Sequence, residues 1–112
     1  EQLLRLPVII LCVAISAMRE VLQRIAPRLH PGTLVMDTCS VKSLPAHWML
    51  EALPVQTQIL ATHPMFGPDS AVNGVRGLPM ILCPVRIATA SLAQRATELY
   101  LFIPQSEPAC RK

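Results

Sequence analysis

Two short clusters hold the side chains of this 112-residue chain best suited to moving a proton or gripping a ligand. One is Asp37-Thr38-Cys39-Ser40-Val41-Lys42, and the other is Thr62-His63-Pro64. A neutral imidazole accepts a proton near neutral pH and a hydroxyl both donates and accepts, so Ser40 with His63 is the pairing that suits acid–base chemistry. His63 is preferred among the three histidines: His30 falls at a helix end, where a cation complements the carbonyl dipole, and His47 lies within a short helix. Each residue also has a plain reading. A histidine after a strand can be a structural hydrogen-bonding group, residues 37–40 can be a helix-entry turn, and Lys42 can be a solvated charge. The chain has no G-x-S-x-G elbow for serine hydrolysis and no local signature of a catalytic thiol around Cys39.

Such chemistry needs a frame that brings both clusters to one rim. Residues 7–13 form a continuous β-branched and aliphatic run, which predicts a strand covered on both faces. From Ser16, read as an N-cap, apolar residues recur at Met18, Val21, Leu22, Ile25 and Leu29 until Pro31-Gly32, which predicts a helix distorted near its end by Pro27. Residues 33–36 read as a second strand, and Ser43 with Pro45 opens a helix to Leu53 whose buried face is Trp48, Met49 and Leu53. Residues 58–61 read as a third strand running into a proline- and glycine-rich loop over 62–70. A connection over 74–79, a strand over 80–83, a helix over 88–100 and a strand start at 101–103 follow, with 104–112 as a frayed tail. Alternating strands and helices of this length predict an α/β fold: a mainly parallel sheet with right-handed crossovers and helices on both faces. Ligands of such sheets sit outside the carboxyl ends of the strands, where both clusters fall.

Composition narrows the classes further. With 52% hydrophobic and 15% charged residues the chain reads as one compact soluble domain. A net charge of +3 with 4% aromatics is poor in the groups that bind nucleic acid, so no nucleic-acid partner is expected. The apolar stretch at 6–15 is too short to span a membrane. It also imitates a signal peptide, a reading set aside because a coherent helical pattern follows at once. Cys12, Cys39, Cys83 and Cys110 form no C-x-x-C pair, so no metal site is expected, and they read as free, mostly buried thiols in a reducing cytosolic setting. The glycines, Gly32, Gly67, Gly74 and Gly77, form no G-x-G-x-x-G turn for a pyrophosphate.

The wording of the loops is more specific than their chemistry. Met36-Asp37-Thr38-Cys39-Ser40-Val41-Lys42, followed by His63-Pro64-Met65-Phe66-Gly67-Pro68-Asp69-Ser70, Asn73-Gly74 and Leu78-Pro79, resembles the prephenate and arogenate dehydrogenase family over residues 7–100. The resemblance implies a partial Rossmann-like three-layer α/β sandwich over 1–103. It also implies NAD(P)-dependent oxidative decarboxylation of prephenate or arogenate in tyrosine biosynthesis. Hydride passes from the substrate C4 to a nicotinamide as the ring carboxylate leaves as carbon dioxide.

By the same resemblance His63 matches the catalytic histidine, and Ser40 a serine bridging substrate hydroxyl, histidine and nicotinamide amide. Thr38 and Cys39 would line the nicotinamide side, and Cys12, Val13 and Ala14 would border the ribose and phosphates. The cofactor would be NAD or NADP, the partner a small-molecule substrate, the full-length protein a homodimer, and the compartment cytoplasmic or plastid. Relative to the family the chain is expected to start near the fourth strand and stop where a helical domain begins. A rival reading is therefore a truncated non-catalytic remnant or interaction module whose apolar first strand self-associates. A third keeps the fold and changes the substrate to another small hydroxy acid.

Overall fold

The computed structural model describes residues 2–75 and 77–87. After a short 3-10 turn at Gln2–Arg5, the chain runs β1 (Val8–Leu11), α1 (Ile15–Ile25), β2 (Leu34–Asp37), α2 (Ser43–Ala52), β3 (Gln58–Pro64) and β4 (Met80–Arg86). The four strands make one sheet in the order β1-β2-β3-β4. β1, β2 and β3 are parallel, with Leu11 opposite Asp37 and Asp37 opposite Ala61, whereas β4 is antiparallel to β3.

The helices arise where apolar spacing meets a cost-free start. α1 buries Met18 and Leu22 on one face. Its N-cap is Ala14 and not Ser16, because the Ala17 N–H already bonds the Ala14 carbonyl at 2.9 Å, two residues before the expected start. Its end is as the proline foretold: the chain tightens into a 3-10 turn at Ala26–Arg28, with Pro27 where no intrahelical N–H is required. Gly32, at φ +82°, then turns the chain into β2, a conformation open to glycine without a Cβ penalty. In α2, Pro45 sits in the first turn, where its missing N–H costs nothing, and is buried together with Met49. Leu53 is buried just beyond the helix end, while Trp48 is half-buried beneath Arg19, whose guanidinium carbon lies 5.7 Å from the ring centroid.

Both helices cover the same face of the sheet. Met18 and Leu22 of α1 and Met49 of α2 join Leu11, Val35, Ile59, Ala61 and Cys83 in one core cluster. Two right-handed crossovers that step in the same direction along a sheet place their helices together, so helices on both faces cannot come from these two units alone. The opposite face carries a second buried cluster of Leu34, Met36 and Leu60. The expected helix at 88–100, the strand start at 101–103 and the tail at 104–112 lie outside the described residues.

Two expectations are corrected on the β3 side. β3 does not stop at Ala61 but continues through Pro64, so Thr62, His63 and Pro64 are strand residues. The partner that extends it is β4, with Thr62 opposite Leu82 and His63 opposite Ile81. A 65–79 connection returns the chain for this antiparallel pairing, closed at its base by the Met65 N–H to the Pro79 carbonyl at 3.0 Å. β4 tolerates Pro84 because the register shifts next to it, opposite Ile59/Leu60, and a bulge is one of the few places where a strand can lack an N–H. Cys12 and Cys39 are free, but Cys83 is disulfide-bonded, which departs from the reading of the cysteines as free thiols.

Candidate active site

The carboxyl ends of β1, β2 and β3 are joined by a polar knot centred on Asp37, the last residue of β2. Asp37 is fully buried. Its Oδ2 accepts from the Cys39 N–H at 3.1 Å and from Lys42 Nζ at 2.5 Å, and its Oδ1 accepts from the Thr62 N–H at 3.0 Å. Thr62 Oγ1 donates to the Asp37 carbonyl, and Lys42 Nζ donates to the Thr62 carbonyl. Thr38 Oγ1 donates to the Leu11 carbonyl at 3.3 Å, tying the end of β2 to that of β1. A carboxylate without solvent is tolerable only with such a set of donors, since burying a charge unpaired is costly.

A cleft of about 280 Å³ opens beside this knot, lined by Val13, Ile15, Thr38, Cys39, Ser40 and Val41. The structure thus brings together Val13, Thr38, Cys39 and Ser40 of the sequence candidates. Cys12 and Ala14 are exposed and do not line the cleft. His63 is half-buried on β3 and also lies outside this lining, while Ser40 is exposed at its mouth. β2 and β3 are parallel neighbours, so the Ser40 loop and the His63 strand end leave the sheet on the same edge. Among the described residues no hydrogen bond joins Ser40 to His63.

Sequence reasoning missed Ile15 and Val41 as cleft walls, and it missed Asp37 and Thr62 as the residues that knit the rim. The available signal was an acid followed five positions later by Lys42, here an ion pair between a buried carboxylate and a half-buried lysine. Among the described residues no group of three His, Cys, Asp or Glu could hold a metal ion. No helix among them is long and apolar enough to cross a membrane.

The Cys39 thiol is pushed up from its ordinary range, first by burial and then by the Asp37 carboxylate, with Lys42 opposing. The thiolate, the reactive form, is correspondingly scarce at neutral pH. Alkylation with iodoacetamide at about pH 7.5, followed by peptide mass spectrometry, is therefore expected to label exposed Cys12 at least about tenfold faster than Cys39. Equal rates would contradict the buried placement of Cys39.

The sequence profile of the family described as "Prephenate dehydrogenase, nucleotide-binding domain" matches residues 1–100. The chain belongs to that family. It is 39% identical over 101 residues to arogenate dehydrogenase 2, chloroplastic, of Arabidopsis thaliana, a match covering 89% of this chain and 28% of that protein. Its fold superposes on the crystal structure of Synechocystis arogenate dehydrogenase with a TM-score of 0.74 at 25% identity, covering 96% of this chain and 41% of that one. A crystal structure of prephenate dehydrogenase from Aquifex aeolicus in complex with hydroxyphenyl propionate and NAD+ gives a TM-score of 0.69 at 16% identity, covering 91% and 38%. The family is one of oxidoreductases, and the mostly parallel sheet fits its Rossmann-like α/β nucleotide-binding domain. This chain spans about a quarter of the length of the Arabidopsis relative.

Proposed function

We propose that this chain supplies the nicotinamide-side part of the dinucleotide-binding domain of an arogenate or prephenate dehydrogenase, which oxidatively decarboxylates its cyclohexadienyl substrate with NAD or NADP in tyrosine biosynthesis. The observation that carries this reading is the Asp37 knot, because it ties the Ser40 loop and the His63 strand end to adjacent parallel strands at the sheet edge where ligands of this fold sit. The cleft beside the knot suits one end of a dinucleotide. Val13, Ile15 and Val41 offer apolar walls to a flat ring, and Thr38 and Ser40 offer hydroxyls to its amide. The chain holds no glycine-rich pyrophosphate turn, so the fit concerns that end alone. Support for the cofactor class comes from the family's description as a nucleotide-binding domain and from the NAD+ in the Aquifex aeolicus complex.

A bound NAD or NADP supplies the hydride acceptor. The residues of the chain do the rest of the work assigned to them here. A neutral His63 nitrogen accepts the hydrogen bond of the substrate C4 hydroxyl, and that bond strengthens as carbonyl character develops at C4. Ser40 holds the hydroxyl and the imidazole in register. Departure of the ring carboxylate as carbon dioxide leaves its electron pair in the ring, so hydride loss from C4 ends in an aromatic product that keeps its hydroxyl. Cys12, Val13 and Ala14, following β1, are assigned to the ribose and phosphate side. A small-molecule substrate, a homodimer and a cytoplasmic or plastid compartment complete the proposal.

The decisive experiment is an assay of the full-length gene product with arogenate and with prephenate, following dinucleotide reduction and carbon dioxide release together. One carbon dioxide per dinucleotide reduced is the expected result with at least one substrate. Absence of reduction with both would overturn the reading in favour of a non-catalytic module.

A further inference from the structure

We infer that Asp37, working through Lys42 and Thr62, is the positioning residue that sets the spacing between Ser40 and His63; the inference rests on the reading of those two residues given above. The knot contacts each carrier segment at two points. On the β2 side, Asp37 Oδ2 binds the Cys39 N–H and Lys42 Nζ, and Ser40 lies between those two anchors. On the β3 side, Thr62 is held at its N–H by Asp37 Oδ1 and at its carbonyl by Lys42. That carbonyl belongs to the peptide bond joining Thr62 to His63, so the ammonium of Lys42 fixes the peptide plane from which the histidine departs. The Thr62 hydroxyl closes the loop on the Asp37 carbonyl. Asp37 itself is not among the residues that line the cleft.

A structural role alone explains this arrangement poorly. A buried ion pair is weak evidence for stability, because a well-packed apolar substitute is often neutral or better. What a charged pair with fixed donors provides and an apolar pair does not is a unique relative position of two chain segments. Position matters steeply at such a rim, where a misplacement of about 1 Å can cost about 10²-fold in rate.

The test compares Asp37→Asn, the charge-balanced double variant Asp37→Asn/Lys42→Met, Thr62→Val and a His63→Asn control in the full-length gene product. Steady-state kinetics and thermal unfolding are measured on each. The double variant is expected to recover most of the unfolding temperature lost by Asp37→Asn, yet to keep kcat lowered by about 10²-fold with KM for the dinucleotide changed less than about threefold. A merely structural pair would return kcat along with stability, and that result would overturn the inference. Thr62→Val keeps the strand shape and leaves the ion pair in place, removing only the hydroxyl contact, so it covers the case in which the double variant does not fold. A several-fold lower kcat at unchanged KM is expected of it, and an unchanged kcat would overturn the inference. If His63→Asn retains full turnover, the reading of the site fails and the inference with it. If His63→Asn is inactive while the folded double variant is fully active, the inference alone fails.

Discussion

Replacing His63 by asparagine is expected to lower turnover by about 10²- to 10⁴-fold, the contribution typical of a positioned acid–base group. Asparagine keeps a polar side chain but offers no ring nitrogen to accept the C4 hydroxyl proton as charge develops. The backbone is little at risk, because the ladder from His63 to Ile81 is made by main-chain groups that the substitution leaves in place. Dinucleotide affinity is expected to stay within a few-fold, since His63 does not line the cleft assigned to the nicotinamide end. Steady-state kinetics with a separate dinucleotide titration checks both halves of this expectation, and unchanged turnover would remove the assigned role. The same role requires a neutral imidazole.

Lys42→Met should be the most damaging single change to stability at the rim, with a loss of about 3–5 kcal/mol. The lysine side chain is 18% exposed and its partner Asp37 fully buried, so the substitution strands a carboxylate that water cannot reach. The Cys39 and Thr62 N–H groups still donate to that carboxylate, which places the expected loss near the lower end of the range. Denaturant unfolding measures it, and a double-mutant cycle with Asp37→Asn isolates the pair from the surrounding contacts. A loss below about 1 kcal/mol would mean that the pair behaves as an ordinary surface contact despite its burial.

Local pattern and proline chemistry carried the two helices and the first two strands close to their observed bounds. The periodicity of Met18 and Leu22 named the buried face of α1, and Pro27 named the point where it tightens. Ser16 as a cap failed because the helix starts two residues earlier, at Ala14, without any side-chain cap. β3 was cut short at Ala61 because a histidine and prolines signal a loop when no partner strand is visible. Pairing with β4 supplies the hydrogen bonds that keep Thr62 and His63 extended. The candidate residues were legible mainly through the wording of the loops; of these, Cys12, Ala14 and His63 lie outside the lining of the cleft that Val13, Thr38, Cys39 and Ser40 share.

Residue order alone therefore determined the α/β class, the apolar faces and the family, since each depends on neighbours a few positions apart or on words that survive intact in one chain. Only the tertiary structure decided that β2 and β3 adjoin, that β4 runs antiparallel, that α1 and α2 share a face, and that Asp37 joins Lys42 to Thr62. Those features rest on bonds between segments some 25 residues apart, and periodicity records that a side chain is buried without recording which segment buries it.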